Sequence, residues 1–131
     1  MNALAKYQVV DPRFRSFVLG NAELETLASG CRWLTGPVWF ADHQTLLFSD
    51  IPNNRNLRLS ASGGVSVFCE PAGFPNGHAR DRSGRLISCS HLRRAVERTE
   101  PDGRRTVPVD RFNGRRLNAP NGVAVKSDGT V

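Results

Sequence analysis

Three histidines, three cysteines and an excess of arginine are the side chains of this 131-residue chain that could move protons, hold metals or meet anions. His91, in Cys89-Ser90-His91, offers an imidazole that either hydrogen-bonds a ligand or packs as a satisfied histidine between layers. His78 directly follows Gly77, and its role is open. His43 falls in a polar turn between two apolar runs and reads as solvated. Cys31, Cys69 and Cys89 are odd in number, and no two form a CxxC pair, so neither a zinc site nor a disulfide framework is supported. Reduced, partly buried thiols fit a cytoplasmic protein. Ser, His and Asp are all plentiful, yet no spacing supports a nucleophilic triad. GxSxG, P-loop, HExxH and strand-borne GxGxxG signatures are absent from the sequence.

The formal net charge is +6, and sixteen of the eighteen basic residues are arginines; Lys6 and Lys126 are the two lysines. Such a balance suits an anion or nucleic-acid binder. Here the arginines are dispersed, among them Arg13, Arg15, Arg80, Arg85, Arg93, Arg98, Arg104, Arg105, Arg115 and Arg116. They are not interleaved with aromatics, and no nucleic-acid-binding motif accompanies them, so charge alone argues little for that partner. With 39% hydrophobic and 23% charged residues the composition is globular. Met1 to Tyr7 lack the apolar stretch of a signal peptide, and no run is long enough to span a membrane.

What must position these side chains is an internal repeat. Gly36-Pro37-Val38-Trp39-Phe40 leads through a polar turn to Thr45-Leu46-Leu47-Phe48-Ser49. Gly77-His78-Ala79-Arg80-Asp81 leads through Arg82-Ser83-Gly84 to Arg85-Leu86-Ile87-Ser88-Cys89, and Gly122-Val123-Ala124-Val125-Lys126 leads through Ser127-Asp128-Gly129 to Thr130-Val131. The three glycines are 41 and 45 residues apart. A period near 40–45 residues with several short strands per unit is the spacing of propeller blades. In the first unit the pattern predicts strands over Val38–Phe40, Leu46–Ser49, Asn56–Leu59 and Val65–Phe68. In the second it predicts Ala79–Asp81, Leu86–Cys89, Ala95–Thr99 and Thr106–Val109. Ser62-Gly63-Gly64 and Pro101-Asp102-Gly103 supply the hairpin turns. The competing reading is an unrelated β-sandwich with similar turns; the matched place of each hairpin within the period favours the propeller. The expected organisation is a lead-in over 1–34, blade repeats over 35–75 and 76–120, and the start of a third repeat over 121–131. Propellers close with about four to eight blades. The sequence therefore reads as an N-terminal part of a ring, with open blade edges that invite self-association.

The quoted residues resemble the SMP-30/gluconolactonase/LRE-like family. Asp11-Pro12-Arg13-Phe14-Arg15, Leu19-Gly20-Asn21-Ala22, Gly30-Cys31-Arg32-Trp33, Gly36-Pro37-Val38-Trp39-Phe40 and Ser49-Asp50-Ile51-Pro52-Asn53-Asn54-Arg55 carry the first part of the likeness. Asn76-Gly77, Asp81-Arg82, Gly84-Arg85-Leu86, Arg98-Thr99-Glu100-Pro101-Asp102-Gly103, Arg116-Leu117-Asn118 and Pro120-Asn121 carry the rest. The resemblance implies an all-β, partial six-bladed propeller. It implies hydrolysis of sugar lactones to aldonic acids, with a divalent cation (Ca²⁺, Mg²⁺, Mn²⁺ or Zn²⁺) at the axis as Lewis acid and a carboxylate as base.

Departures from the family pattern qualify that expectation. The family's glutamate ligand before Gly-Pro-Val-Trp is Thr35 here, a neutral and shorter oxygen donor. The remaining protein ligands and the base are implied for later blades. The sequence thus predicts no tight cation site and no catalytic base within this chain, and predicts that Thr35→Glu alone restores no cation binding. Asn121 stands on an asparagine that the family places near cation and substrate, but Gly122 replaces the usual aspartate after it. Arg116 and Asn118 fall where relatives line the pocket entrance; ordinary loop capping is the alternative. His91 follows Ser90, where the family has glutamate, and is expected either to face substrate or to pack between blades. Trp33 and Trp39 are expected to anchor blade packing, and Asp50, Asn53 and Asn54 to satisfy backbone groups in a tight loop.

Overall fold

The computed structural model describes residues 8–18, 25–61 and 63–131. The expectations for Met1–Tyr7, Leu19–Ala22 and Ser62 lie outside the described residues. Two four-stranded antiparallel sheets follow each other in sequence, each in simple up-and-down order. The first comprises β1 (Leu34–Phe40), β2 (Thr45–Asp50), β3 (Arg55–Ser60) and β4 (Val65–Cys69). The second comprises β5 (Pro75–Arg80), β6 (Leu86–Ser90), β7 (Ala95–Thr99) and β8 (Arg105–Val109).

Burial along the strands explains the faces. Ser49 and Asp50 of β2 and all five residues of β6 are buried, because both faces of a blade's inner half meet packed chain. Phe40, Leu47 and Leu86 form the apolar core between the blades, with Val38 packed against it. Each such buried side chain is worth roughly 2 kcal/mol. β1 lies against β5. The two inner strands share an irregularity: register shifts fall between Thr35 and Val38 in β1 and between Pro75 and His78 in β5. A bulge at the same place in each repeat bends the strand and re-aims the side chains at its start.

Gly36 shows why that position is glycine. Its φ is +60°, and a Cβ there would sit 2.2 Å from the Asn76 carbonyl oxygen. At Gly77 an added Cβ would lie 2.6 Å from the Asn121 carbonyl, and the Gly77 N–H donates to that same oxygen at 2.9 Å. The repeat glycines are thus the points where successive inner segments touch backbone to backbone.

One expectation is corrected, at the tryptophans, and two details are added. Residues 121–131 carry no assigned strand; the segment keeps its turn, with Lys126 N–H donating to Thr130 O at 2.8 Å. Trp33 and Trp39 are 67% and 48% exposed, so they anchor little in these two blades. The sequence reading also passed over a short hairpin, β9 (Arg111–Phe112) with β10 (Arg115–Arg116), between the second blade and the third repeat. Asn113 and Gly114 both have positive φ, +48° and +75°, as a two-residue type I′ turn requires.

Candidate functional site at the hub end of the blades

Leu34 pairs with Asp50 and Pro75 with Ser90, so the starts of the inner strands share one end of the blades with the ends of β2 and β6. The loops 51–54 and 91–94 and the connections 70–74 and 110–120 lie at this same end. The repeat-equivalent residues Thr35, Asn76 and Asn121 each precede a repeat glycine. The contacts of Gly36 and Gly77 bring their backbones into one row.

Asn76 is the best-built member. It is buried, its carbonyl accepts from Ser49 Oγ at 2.7 Å, and its side-chain Nδ2 lies 3.2 Å from His91 Nε2. His91 is half-buried and backbone-anchored, its N–H donating to Phe74 O at 3.2 Å. Ser90 Oγ donates to Gly73 O and accepts from Arg93 N–H, fixing the same loop. Sequence reasoning named His91 as a candidate and not Asn76; the repeat equivalence of Asn76 with Asn121 was the available signal.

Arg116 and Asn118 are exposed and are engaged by protein groups. Arg116 donates to Arg93 O at 2.8 Å. Arg94 donates to Leu117 O at 2.7 Å and to Asn118 Oδ1 at 3.0 Å. In the first blade Asn54 plays the matching part, its Oδ1 accepting from Phe74 N–H at 2.6 Å. Both loop residues adopt positive φ, +53°. Each β2–β3 or β6–β7 loop therefore staples the chain entering the next repeat. Asn121 is exposed and contributes its backbone carbonyl to Gly77. Thr35 is half-buried, pairs with Ser49 and lines a groove of about 440 Å³ with Glu25, Leu27, Leu46 and Phe48.

Behind the mouth lies a second, closed polar cluster. His78 Nε2 is 2.8 Å from Ser49 Oγ and 3.2 Å from Asn56 Oδ1, and its Nδ1 is 2.9 Å from Ser88 Oγ. The spacing is that of a nucleophile and its base. The burial is not: Ser49 is wholly buried and its hydroxyl proton goes to Asn76 O. Burial also pushes the His78 pKa down to about 4. This buried cluster ties blade to blade.

The donor set does not suit a divalent cation. Among the described residues no three His, Cys, Asp or Glu side chains gather in a way that could hold a metal ion. At the hub end the Asp50 carboxylate is fully buried and accepts from the Arg32 and Trp33 amides, Asn53 Nδ2 and Arg55. Burial works to raise its pKa, but these donors outweigh burial and hold it at about 2. Thr35, Asn76 and Asn121 offer neutral groups, and the Asn76 amide and the Asn121 carbonyl are already used.

Two four-stranded antiparallel blades, joined at their inner strands and carrying their loops on a common end, define part of a β-propeller. Residues 33–131 match the family described as SMP-30/Gluconolactonase/LRE-like region, and the chain belongs to that family. A gluconolactonase of Zymomonas mobilis subsp. mobilis is 30% identical over 144 aligned residues, covering 99% of this chain and 40% of that protein. An X-ray structure with a provisional gluconolactonase designation superposes with a TM-score of 0.84 at 37% identity, over 92% of this chain and 42% of its own. A gluconolactonase of Xanthomonas campestris, described as important in glucose secondary metabolic pathways, gives a TM-score of 0.76 at 39% identity over 79% and 35%. A virginiamycin B lyase of Staphylococcus aureus, 15% identical with a TM-score of 0.57, shares the fold. The chain spans about two fifths of the length of these relatives. No helix among the described residues is long and apolar enough to cross a membrane.

Proposed function

We propose that these blades supply part of the hub of a sugar-lactone hydrolase that converts lactones to aldonic acids. Family membership supports lactone hydrolysis at the level of the family. The observation that carries the reading for this chain is the row Thr35, Asn76 and Asn121, locked backbone to backbone by Gly36 and Gly77 beside the His91 loop. In this reading His91 and Asn121 bind and orient a polyhydroxylated ring through hydrogen bonds, while Arg94 and Arg116 hold the entrance in place. The family's cation does not fit the donors of this chain alone, where Thr35 stands in place of the family's glutamate, so no step of these residues is derived through it. The attacking water and its base are left to groups outside this chain, and the chain alone is expected to give no turnover above spontaneous hydrolysis, with or without Mn²⁺ or Ca²⁺.

A second reading, a binding module without turnover, is favoured by one feature: the neutral hub with Thr35 where the family has glutamate. A chimera separates the two. Residues 34–116 replace the matching blades of the Xanthomonas campestris gluconolactonase, with and without Thr35→Glu. The hydrolase reading expects weak lactone hydrolysis with Thr35 and a rise of about 100-fold or more with the glutamate. A folded chimera inactive in both forms would sink it.

A further inference from the structure

We infer that Asn76 is a positioning residue that fixes the proton of His91, so that the imidazole presents an Nδ1–H donor at the hub end. The purpose of that donor, though not its geometry, rests on the lactone reading. Asn76 is 7% exposed, sits in the β5 bulge, and is held by Ser49 through its carbonyl. Its amide nitrogen, a donor only, faces His91 Nε2 at 3.2 Å. Nε2 must then accept with its lone pair, and a neutral imidazole so bound carries its proton on Nδ1. No protein group among the described residues is bonded to His91 Nδ1. The loop that carries the ring is pinned by His91 N–H to Phe74 O, by Leu92 N–H to Gly73 O at 3.1 Å, and by Ser90, and the Asn76 amide holds the ring's Nε2 edge.

His78 is the internal contrast. Ser49 gives its proton to Asn76 O, so Ser49 Oγ and Asn56 Oδ1 can only accept from His78, which places that ring's proton on Nε2 and lets Ser88 donate to Nδ1. Two histidines thirteen positions apart therefore hold opposite tautomers, one sealed between blades and one open at their end. A fixed N–H at the open end suits an oxygen-rich ligand: the hydroxyls of a polyhydroxylated lactone, or the carboxylate of its hydrolysis product. The imidazole donates a hydrogen bond and keeps its proton, so no imidazolate is formed.

The test is imidazole ¹⁵N NMR on the chain at a pH where both rings are neutral. His91 is expected as the Nδ1–H form and His78 as Nε2–H. Asn76→Ala should return His91 toward the Nε2–H form that unrestrained imidazoles favour. Asn76→Asp, which offers an acceptor to Nε2, should move the proton there completely, with His78 unchanged in both variants as the control for folding. His91 found as Nε2–H in the parent chain, or a tautomer indifferent to Asn76→Ala, overturns the inference. Gluconate, titrated into parent and Asn76→Ala, should shift His91 Nδ1 in the parent and bind at least about tenfold more weakly to the variant. An Nδ1–H ring that ignores gluconate overturns the ligand's chemistry and the lactone reading while leaving the positioning role in force.

Discussion

At His78 the surrounding acceptors permit one arrangement of protons, and that arrangement has a cost in acid. The ring is buried between the blades, and burial lowers its pKa from 6.5 to about 4. The unfolded chain therefore binds a proton at this site between those two values while the folded chain does not. Stability is full above the unfolded value, falls as pH drops from about 6.5, and levels off for this group below about 4. The loss amounts to about 3 kcal/mol at most. Denaturant unfolding at pH 7 and pH 4.5 should show most of that difference. His78→Asn, which keeps a polar amide and cannot titrate, should flatten the profile in this window even if it lowers stability overall. A parent chain equally stable at both pH values would contradict the buried, neutral assignment. In the sequence His78 and His91 look alike; packing seals the first between the blades and leaves the second half-buried at their end.

The connection between the second blade and the third repeat is the element where local chemistry and tertiary packing disagree most instructively. β9 and β10 contribute two residues each, too few to be stable by pairing alone. Their turn residues Asn113 and Gly114 must sustain two consecutive positive φ values. Gly114→Val should cost about 1–2 kcal/mol locally. Amide exchange at Arg111–Arg116 should accelerate in that variant while β6 amides stay protected. Unchanged exchange at the hairpin would mean that the staples from Arg93 and Arg94, not the turn, hold this segment. Asn-Gly is a strong hairpin signal, so the element was legible; the flanking residues are charged rather than alternating apolar, and that hid it. The blade strands were legible because the repeat doubled every clue. What sequence could not supply was depth. Trp39 looks like a core anchor until the face it occupies proves half open. Asn118 and Arg116 were placed at the correct end, but whether a side chain meets ligand or staples backbone depends on partners 23 or 24 positions away.

Across the whole molecule the two blades share a topology but differ at their rims, and the difference bears on how copies of the chain meet. Among the described residues each blade ends in a strand paired on one side only, β4 and β8. β8 carries its own guards: Pro108 removes an N–H from the edge, and Arg105 reaches back to Ala72 O and to buried Glu97. β4, Val65-Ser66-Val67-Phe68-Cys69, has neither proline nor charge, and Val65, Val67 and Phe68 are 39%, 48% and 41% exposed. Strands of this composition with an open edge pair with their like. The net charge of +6 opposes association through mean repulsion, yet β4 itself carries no charged residue, the one charge on it being the Arg58 guanidinium of β3 that reaches Ser66 Oγ at 3.4 Å. Self-association of the chain should therefore rise with salt, which screens the repulsion and leaves the edge untouched. Val67→Lys should reduce it by an order of magnitude or more, about 1.4 kcal/mol. A lysine placed on β8 at Val107 should change it little. Sedimentation velocity across a concentration series reads all three. Equal effects at Val67 and Val107 would show that the association runs through the blade faces rather than the β4 edge, and a decline with added salt would show that it is carried by charge.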